Sequence, residues 1–192
     1  MAADIIRESY QGYCSIRIQD EMLSHREIEC IGEINDDSVN ELIRQLRYLE
    51  REDPEGEIKI FINSPGGMVS CGLALYDVMK IITCPITTIC IGLAASMAAI
   101  LFVVGDKREM LEHSRIMIHD PLIGGQGIAG SAVQLDARVK DLMNTRMITA
   151  GILAKHTDHS VEEILEKTAS DSYFYAPEAI SFGLADEIIR EL

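Results

Sequence analysis

The stretch Cys90–Phe102, CIGLAASMAAILF, decides how the chain has to be built. A β-branched run, Ile86-Thr87-Thr88-Ile89-Cys90-Ile91, leads into Gly92 and small residues, then one hydroxyl, Ser96, and then an apolar segment of helical character. This pattern predicts a buried strand that turns tightly into a helix at a serine. A nucleophile is well placed at such a turn: the scaffold is rigid, and the first N–H groups of the helix can face charge developing on a bound carbonyl. A serine there can equally be a plain helix cap, so the rest of the chain must decide.

Working outward toward the N-terminus, Glu57 to Asn63 (EIKIFIN) alternates as a strand and runs into Ser64-Pro65-Gly66-Gly67. Two glycines after a proline let the backbone expose N–H groups at angles that a β-carbon would forbid. Ser70 to Ile82 follows as a helix with Leu73, Leu75, Met79 and Ile82 among its apolar positions, closed by Cys84-Pro85. Further upstream, His25 to Gly32 reads as a strand. Asn35-Asp36-Asp37-Ser38 then offers N-caps for a helix carrying Val39, Leu42, Ile43, Leu46 and Leu49, which ends near Arg51. The order βαβαβα predicts parallel strands with right-handed crossovers and a ligand site at their carboxyl ends. Both glycine-rich turns fall on that edge. The residues before about Met22 mix Tyr10, Tyr13 and Ile16 with polar neighbours, which predicts a mobile or hairpin-like terminal segment.

Toward the C-terminus, Glu109 to Leu111 is a weak strand and Arg115 to Ile118 a stronger one, which delivers His119 to a strand end before Asp120-Pro121. A histidine in that position is either a satisfied structural group or a catalytic base. Leu122 to Gly130 (LIGGQGIAG) holds four glycines and the isoleucines Ile123 and Ile128, as a mobile arm would. Ser131 to Lys155 then reads as one long helix. Leu135, Val139, Leu142, Met143, Met147, Ala150 and Ala154 form a broad stripe on it, with Ile148 and Ile152 opposite. A helix apolar on two faces is buried by a neighbouring subunit or enclosed in its own domain. Ser160-x-x-Glu163 is a capping box, after which come Asp171, Tyr173-Phe174-Tyr175, Pro177 at a helix start and an Ala185 to Ile189 segment. His113, His156 and His159 fall in polar turn contexts, where solvated side chains without chemistry are expected.

Composition narrows the function classes. With 31 acidic against 17 basic residues the formal net charge is -14, which speaks against nucleic-acid or anionic-membrane surfaces. The five cysteines show no CxxC pair and sit mostly in apolar contexts, as reduced, buried thiols in a cytoplasmic protein would. The start, MAADIIRESYQGY, lacks a basic n-region with a long apolar run, and no segment reaches the roughly 18 apolar residues of a membrane span. Neither a P-loop nor a metal-ligand cluster is present in the sequence, so no bound ATP, metal or other cofactor is expected.

Four stretches together resemble the ClpP family, the proteolytic subunit of the ATP-dependent Clp protease: INSPGG (62–67), GLAASM (92–97), SRIMIHDP (114–121) and the DxxxxAPEA run from Asp171 to Ala179. They occur in the family's order from about Glu21 onward. The resemblance implies an α/β, ClpP/crotonase-like fold of repeated β-α units with a protruding handle. That divides the chain into an N-terminal axial segment (1–22), a head (23–120 and 157–192) and a handle of glycine-rich arm plus long helix (121–156). Ser96 is implied as nucleophile, His119 as general base and Asp171 as the carboxylate orienting it, with the backbone N–H groups of Gly67 and Met97 as oxyanion hole. The chemistry fits: a serine hydroxyl attacks only once a base takes its proton, and the base needs a third group to fix its tautomer.

The family further implies heptameric rings stacked in pairs as a tetradecamer. An AAA+ unfoldase, which binds the ATP itself, feeds unfolded polypeptide into the chamber. The expected function is a serine endopeptidase acting on such polypeptides. The alternatives are a non-catalytic or weakly active ring subunit complementing a ClpP paralogue, and a phage-type head-maturation protease. A crotonase-type acyl-CoA enzyme is disfavoured by the complete Ser-His-Asp set. This chain departs from the family pattern at several points. The Ser96 to His119 interval is slightly short, Ala98 stands where many members have glycine, and Asp120 replaces a common glutamine, placing a further carboxylate near the base. Ala169-Ser170 replaces a charged pair with a ring-linking arginine, so a weaker or differently wired ring contact is expected. Of the outer-surface aromatics that dock the unfoldase, Phe61 is kept, with Lys59 nearby.

Overall fold

Strand β5 (Ile86–Ala95) is the spine of the molecule, and its first five residues are all buried because both faces are covered. A computed structural model describes residues 4–10, 12–122 and 129–191. Beside β5 lies β4 (Ile58–Gly67), and beside that β3 (Glu27–Ile34), both parallel to it. On its other side the first half of β5 pairs with β6 (Lys107–Leu111), followed by β9 (Glu187–Ile189), again in parallel. The second half of β5, Leu93 to Ala95, pairs instead with β7 (Arg115–Ile118). The order β3-β4-β5-β6-β9 is the parallel sheet that the repeated β-α pattern predicts.

The helices form where the sequence supplies caps and stripes. Helix α2 (Asp36–Glu52) starts at Asn35, whose side chain accepts from the Ser38 N–H in a reciprocal capping box, and it buries Val39, Leu42, Leu46 and Leu49. Helix α3 (Val69–Ile81) buries Cys71, Leu75, Tyr76 and Met79. Helix α4 (Met97–Val103) is apolar all round and wholly buried, as a helix without a polar face must be. The buried Thr88 hydroxyl donates to the Phe102 carbonyl at 2.7 Å, which pins α4 to β5. Ser131 and Ser160 cap α5 (Ala132–His156) and α6 (Val161–Thr168), each in a capping box.

Helix α5 buries Ala150 and Leu153, near its C-terminal end, and leaves Val133, Val139, Met143, Met147 and Ile148 exposed. The broad stripe expected on one of the two apolar faces therefore divides. Its C-terminal part packs on the core, joined by Ile152, while Val139, Met143 and Met147 face outward. Ile123 and Ile128 of the glycine-rich arm lie outside the described residues.

Of the two forms expected for the N-terminal segment, the hairpin is present, as β1 (Asp4–Ser9) and β2 (Gly12–Arg17). Other expectations need correction. The hairpin is followed by a short helix, α1 (Ile18–Ser24), that the mixed pattern hid. Strand β4 continues through Ser64 to Gly67. Strand β8 (Ser172–Tyr175) runs antiparallel to β7, before α7 (Ala176–Ser181). His156 is not solvated: it meets the Tyr76 hydroxyl at 3.3 Å, and burial, aided by Lys80, Lys155 and Arg108, pushes its pKa down to about 4. His159 stacks on Phe182 at 4.0 Å between ring centroids. Phe61 is 8% exposed, so its side chain is buried within the chain rather than free on the surface. All five cysteines are free, and four are buried, while Cys14 is exposed on the hairpin. Burial pushes the Cys30 thiol up to about 11.

Candidate active site

Strand register assembles the site. Ala95 pairs with Met117 across β5 and β7, and the Ser96 N–H donates to the Met117 carbonyl at 2.8 Å. His119, two residues past Met117, is therefore carried to the side of Ser96. On the other side of β7, Ile118 pairs with Ser172 of antiparallel β8, which sets Asp171 opposite His119. Three residues distant in the chain thus meet at one corner of the sheet.

Ser96 has φ 56 and ψ -122, a conformation that non-glycine residues rarely adopt and that costs on the order of 1–3 kcal/mol. Such strain persists where the surroundings over-determine it, and here it turns the hydroxyl away from the helix it precedes. The Ser96 side chain makes no cap bond to α4. Instead Oγ lies 2.8 Å from His119 Nε2. The cap and the reactive serine were both open on sequence grounds, and this geometry removes the cap. His119 Nδ1 stands 3.3 Å from Asp171 Oδ1, long for a charge-assisted hydrogen bond, and the Asp171 side chain is 59% exposed. A proton on Nδ1 facing that carboxylate leaves Nε2 as the acceptor for the serine proton.

The Pro-Gly-Gly end of β4 presses against the same corner. Gly66 has φ +91, and a β-carbon there would come within 2.6 Å of the Ala95 carbonyl, 2.7 Å of Ser96 Cβ and 2.9 Å of the Met97 nitrogen. Gly67 is equally intolerant, since its β-carbon would strike the Ile34 carbonyl. Met97 N–H opens α4 and has no acceptor within the helix. Two side chains from the INSPGG motif to which sequence reasoning gave no task hold this geometry. Asn63 Oδ1 accepts from the Leu93 N–H at 3.1 Å across a bulge in β5, and the Ser64 hydroxyl accepts from the Gly66 N–H at 3.1 Å. Polar residues directly before Pro-Gly-Gly were the available signal.

A small apolar pocket opens beside Ser96, walled by Val69, Met97, Ile100, Ile118 and Leu153. Thr149 also borders it, but its hydroxyl donates to the Thr145 and Arg146 carbonyls of its own helix, leaving the pocket without a free donor from that side. Asp120 does not approach the imidazole, contrary to the expectation of a further carboxylate there, and pairs with Arg146. Among the described residues no His, Cys, Asp or Glu group is arranged to hold a metal ion, and no helix is long and apolar enough to cross a membrane.

A mostly parallel α/β fold with a serine and a histidine paired at a strained strand-to-helix turn defines the class: a hydrolase-like scaffold of the ClpP type. The Clp protease family model matches residues 10–192, nearly the whole chain. The chain belongs to the Clp protease family, whose members are serine peptidases of the ClpP type.

Proposed function

We propose that this chain is a serine endopeptidase that cuts unfolded polypeptides inside an oligomeric chamber, as the proteolytic subunit of an ATP-dependent Clp protease. The 2.8 Å approach of Ser96 Oγ to His119 Nε2, made by a serine in a strained backbone, carries the reading. In the reaction His119 takes the Ser96 proton as Oγ attacks the scissile carbonyl carbon. The carbonyl π electrons move onto its oxygen, which the N–H groups of Gly67 and Met97 receive. The imidazolium, steadied by Asp171, then gives its proton to the leaving amine as the C–N bond breaks, leaving an acyl ester on Ser96. Water, deprotonated by the same imidazole, attacks the ester, and the proton returns to Ser96 as the acid product departs. The apolar pocket favours a hydrophobic side chain before the cut.

The exposed apolar face of α5 supports assembly, with residues 121–156 as the handle between stacked heptameric rings, and residues 1–22 as the axial segment before the head of 23–120 and 157–192. An AAA+ unfoldase would use the ATP and deliver substrate, so this chain needs no cofactor of its own. A cytoplasmic setting suits five unpaired thiols.

A second reading is favoured by one observation. The 3.3 Å His119 to Asp171 gap, with Asp171 exposed, fits a subunit weakly active until its ring, or a paralogous ring, tightens the site. One experiment separates the two. A fluorophosphonate probe should label the purified protein at Ser96, and Ser96→Ala should abolish labelling and lower peptide cleavage by on the order of 10⁶-fold. Labelling that appears only after a paralogue is added would select the second reading, and cleavage that survives Ser96→Ala would sink both.

A further inference from the structure

Asp120 follows His119 directly, yet its carboxylate turns away from the ring. Oδ2 accepts from Arg146 Nε at 2.6 Å and Oδ1 accepts from the Thr168 hydroxyl at 2.7 Å. Its backbone N–H also donates to the Thr168 carbonyl at 2.8 Å. Arg146 reaches on, donating from Nη2 to the Leu165 carbonyl at 3.1 Å. One carboxylate thus ties the end of β7 to α5 and to the last turn of α6. Thr168 is 4% exposed, so water competes little for its bond.

We propose that the joint formed by Arg146, Asp120 and Thr168 is a positioning device that sets the distance between His119 and Asp171. This rests on the reading of Ser96, His119 and Asp171 as a catalytic triad. The two triad members hang from opposite sides of the joint. His119 is the residue before Asp120, and Asp171 follows Thr168 after just Ala169 and Ser170. Asp171 is anchored on its C-terminal side by the pairing of Ser172 with Ile118, and on its N-terminal side the place of Thr168 sets how the 59% exposed carboxylate stands to the ring. The pairing has a second effect. With both oxygens engaged and its charge met by Arg146, Asp120 is a poor rival to Asp171 for the imidazole. Freed of Arg146, it becomes a second carboxylate beside the base.

The test uses the full assembled protein and three substitutions. Arg146→Gln removes the cation, Thr168→Val removes the hydroxyl at nearly constant volume, and Thr168→Ser restores the hydroxyl while losing a methyl. Misplacement of a catalytic group by about an ångström costs up to roughly a hundredfold. Arg146→Gln and Thr168→Val should therefore lower kcat by about tenfold to a hundredfold with KM within about twofold, while Thr168→Ser stays near the parent. A crystal structure of Arg146→Gln should show His119 Nδ1 and Asp171 Oδ1 moved out of hydrogen-bond range. Parental kcat in Arg146→Gln and Thr168→Val overturns the proposal. So does a loss in Thr168→Ser as large as in Thr168→Val, which would indicate packing alone. If the parent itself neither cleaves nor labels, the triad reading fails separately. The crystallographic distance still decides the joint, and an unchanged separation in Arg146→Gln refutes it.

Discussion

Gly66 packs so closely on Ser96 that a β-carbon at position 66 would lie 2.7 Å from Ser96 Cβ. The strained backbone at Ser96 and the end of β4 are thus two halves of one construction, which closes because position 66 carries no side chain. The adjoining N–H groups of Gly67 and Met97 inherit their placement from that contact.

Gly66→Ala should therefore sharply lower activity while leaving Ser96, His119 and Asp171 themselves unsubstituted. Its φ of +91 is strained for alanine, and the new methyl meets the Ala95 carbonyl, a backbone group that cannot swing aside. Loss of one oxyanion donor costs about 10²- to 10³-fold in kcat, and a fall of that size in peptide hydrolysis is expected, with a lowered melting temperature. A variant that keeps half the parental kcat would show that the close approach is not required.

The outward apolar face of α5 gives a prediction about assembly. Val139, Met143 and Met147 recur every fourth residue, so they share one face, and each is about half exposed. Introducing lysines as Met143→Lys with Met147→Lys should convert the largest species in sedimentation velocity into smaller ones, because burying two unpaired charges in an interface is costly. Secondary structure by circular dichroism should stay unchanged. Unaltered sedimentation would remove this face from the assembly.

His156 makes part of the acid sensitivity of the fold predictable. Its pKa falls from 6.5 to about 4, chiefly through burial, with Lys80, Lys155 and Arg108 adding repulsion. The unfolded chain therefore takes up this proton at higher pH than the native state. The resulting stability is fully present above pH 6.5 and is lost as the pH falls toward 4. His156→Gln should remove that component, so the parent loses melting temperature relative to the variant between pH 6.5 and pH 4. A constant difference between the two across this window would contradict the assignment.

The legible parts of the fold were those governed by neighbours in the chain. Alternating apolar residues in 58–62 marked a strand, Asn35 and Ser160 announced their helices through side chains three residues away from the N–H groups they cap, and the repeated β-α order implied a parallel sheet. The N-terminal helix α1 escaped because it buries no residue and so carries no stripe to read. His156 and Phe61 were misjudged for the converse reason: their surroundings come from Tyr76 in one case and from adjoining strands in the other.

The sequence by itself determined that Ser96 stands where a strand becomes a helix, that two glycine-bearing segments lie at the same sheet edge, and that His119 follows a strand end. These are statements about local dihedral preference and hydrophobic period, which a few adjacent residues control. The tertiary structure alone decided what the Ser96 hydroxyl faces, because a cap bond and a bond to His119 satisfy it equally well. Pairing of β5 with β7 brings the imidazole within 2.8 Å. It also decided that Asp120 serves Arg146 and Thr168 rather than the base, since a side chain that can turn to either partner is committed by whichever element packs against it.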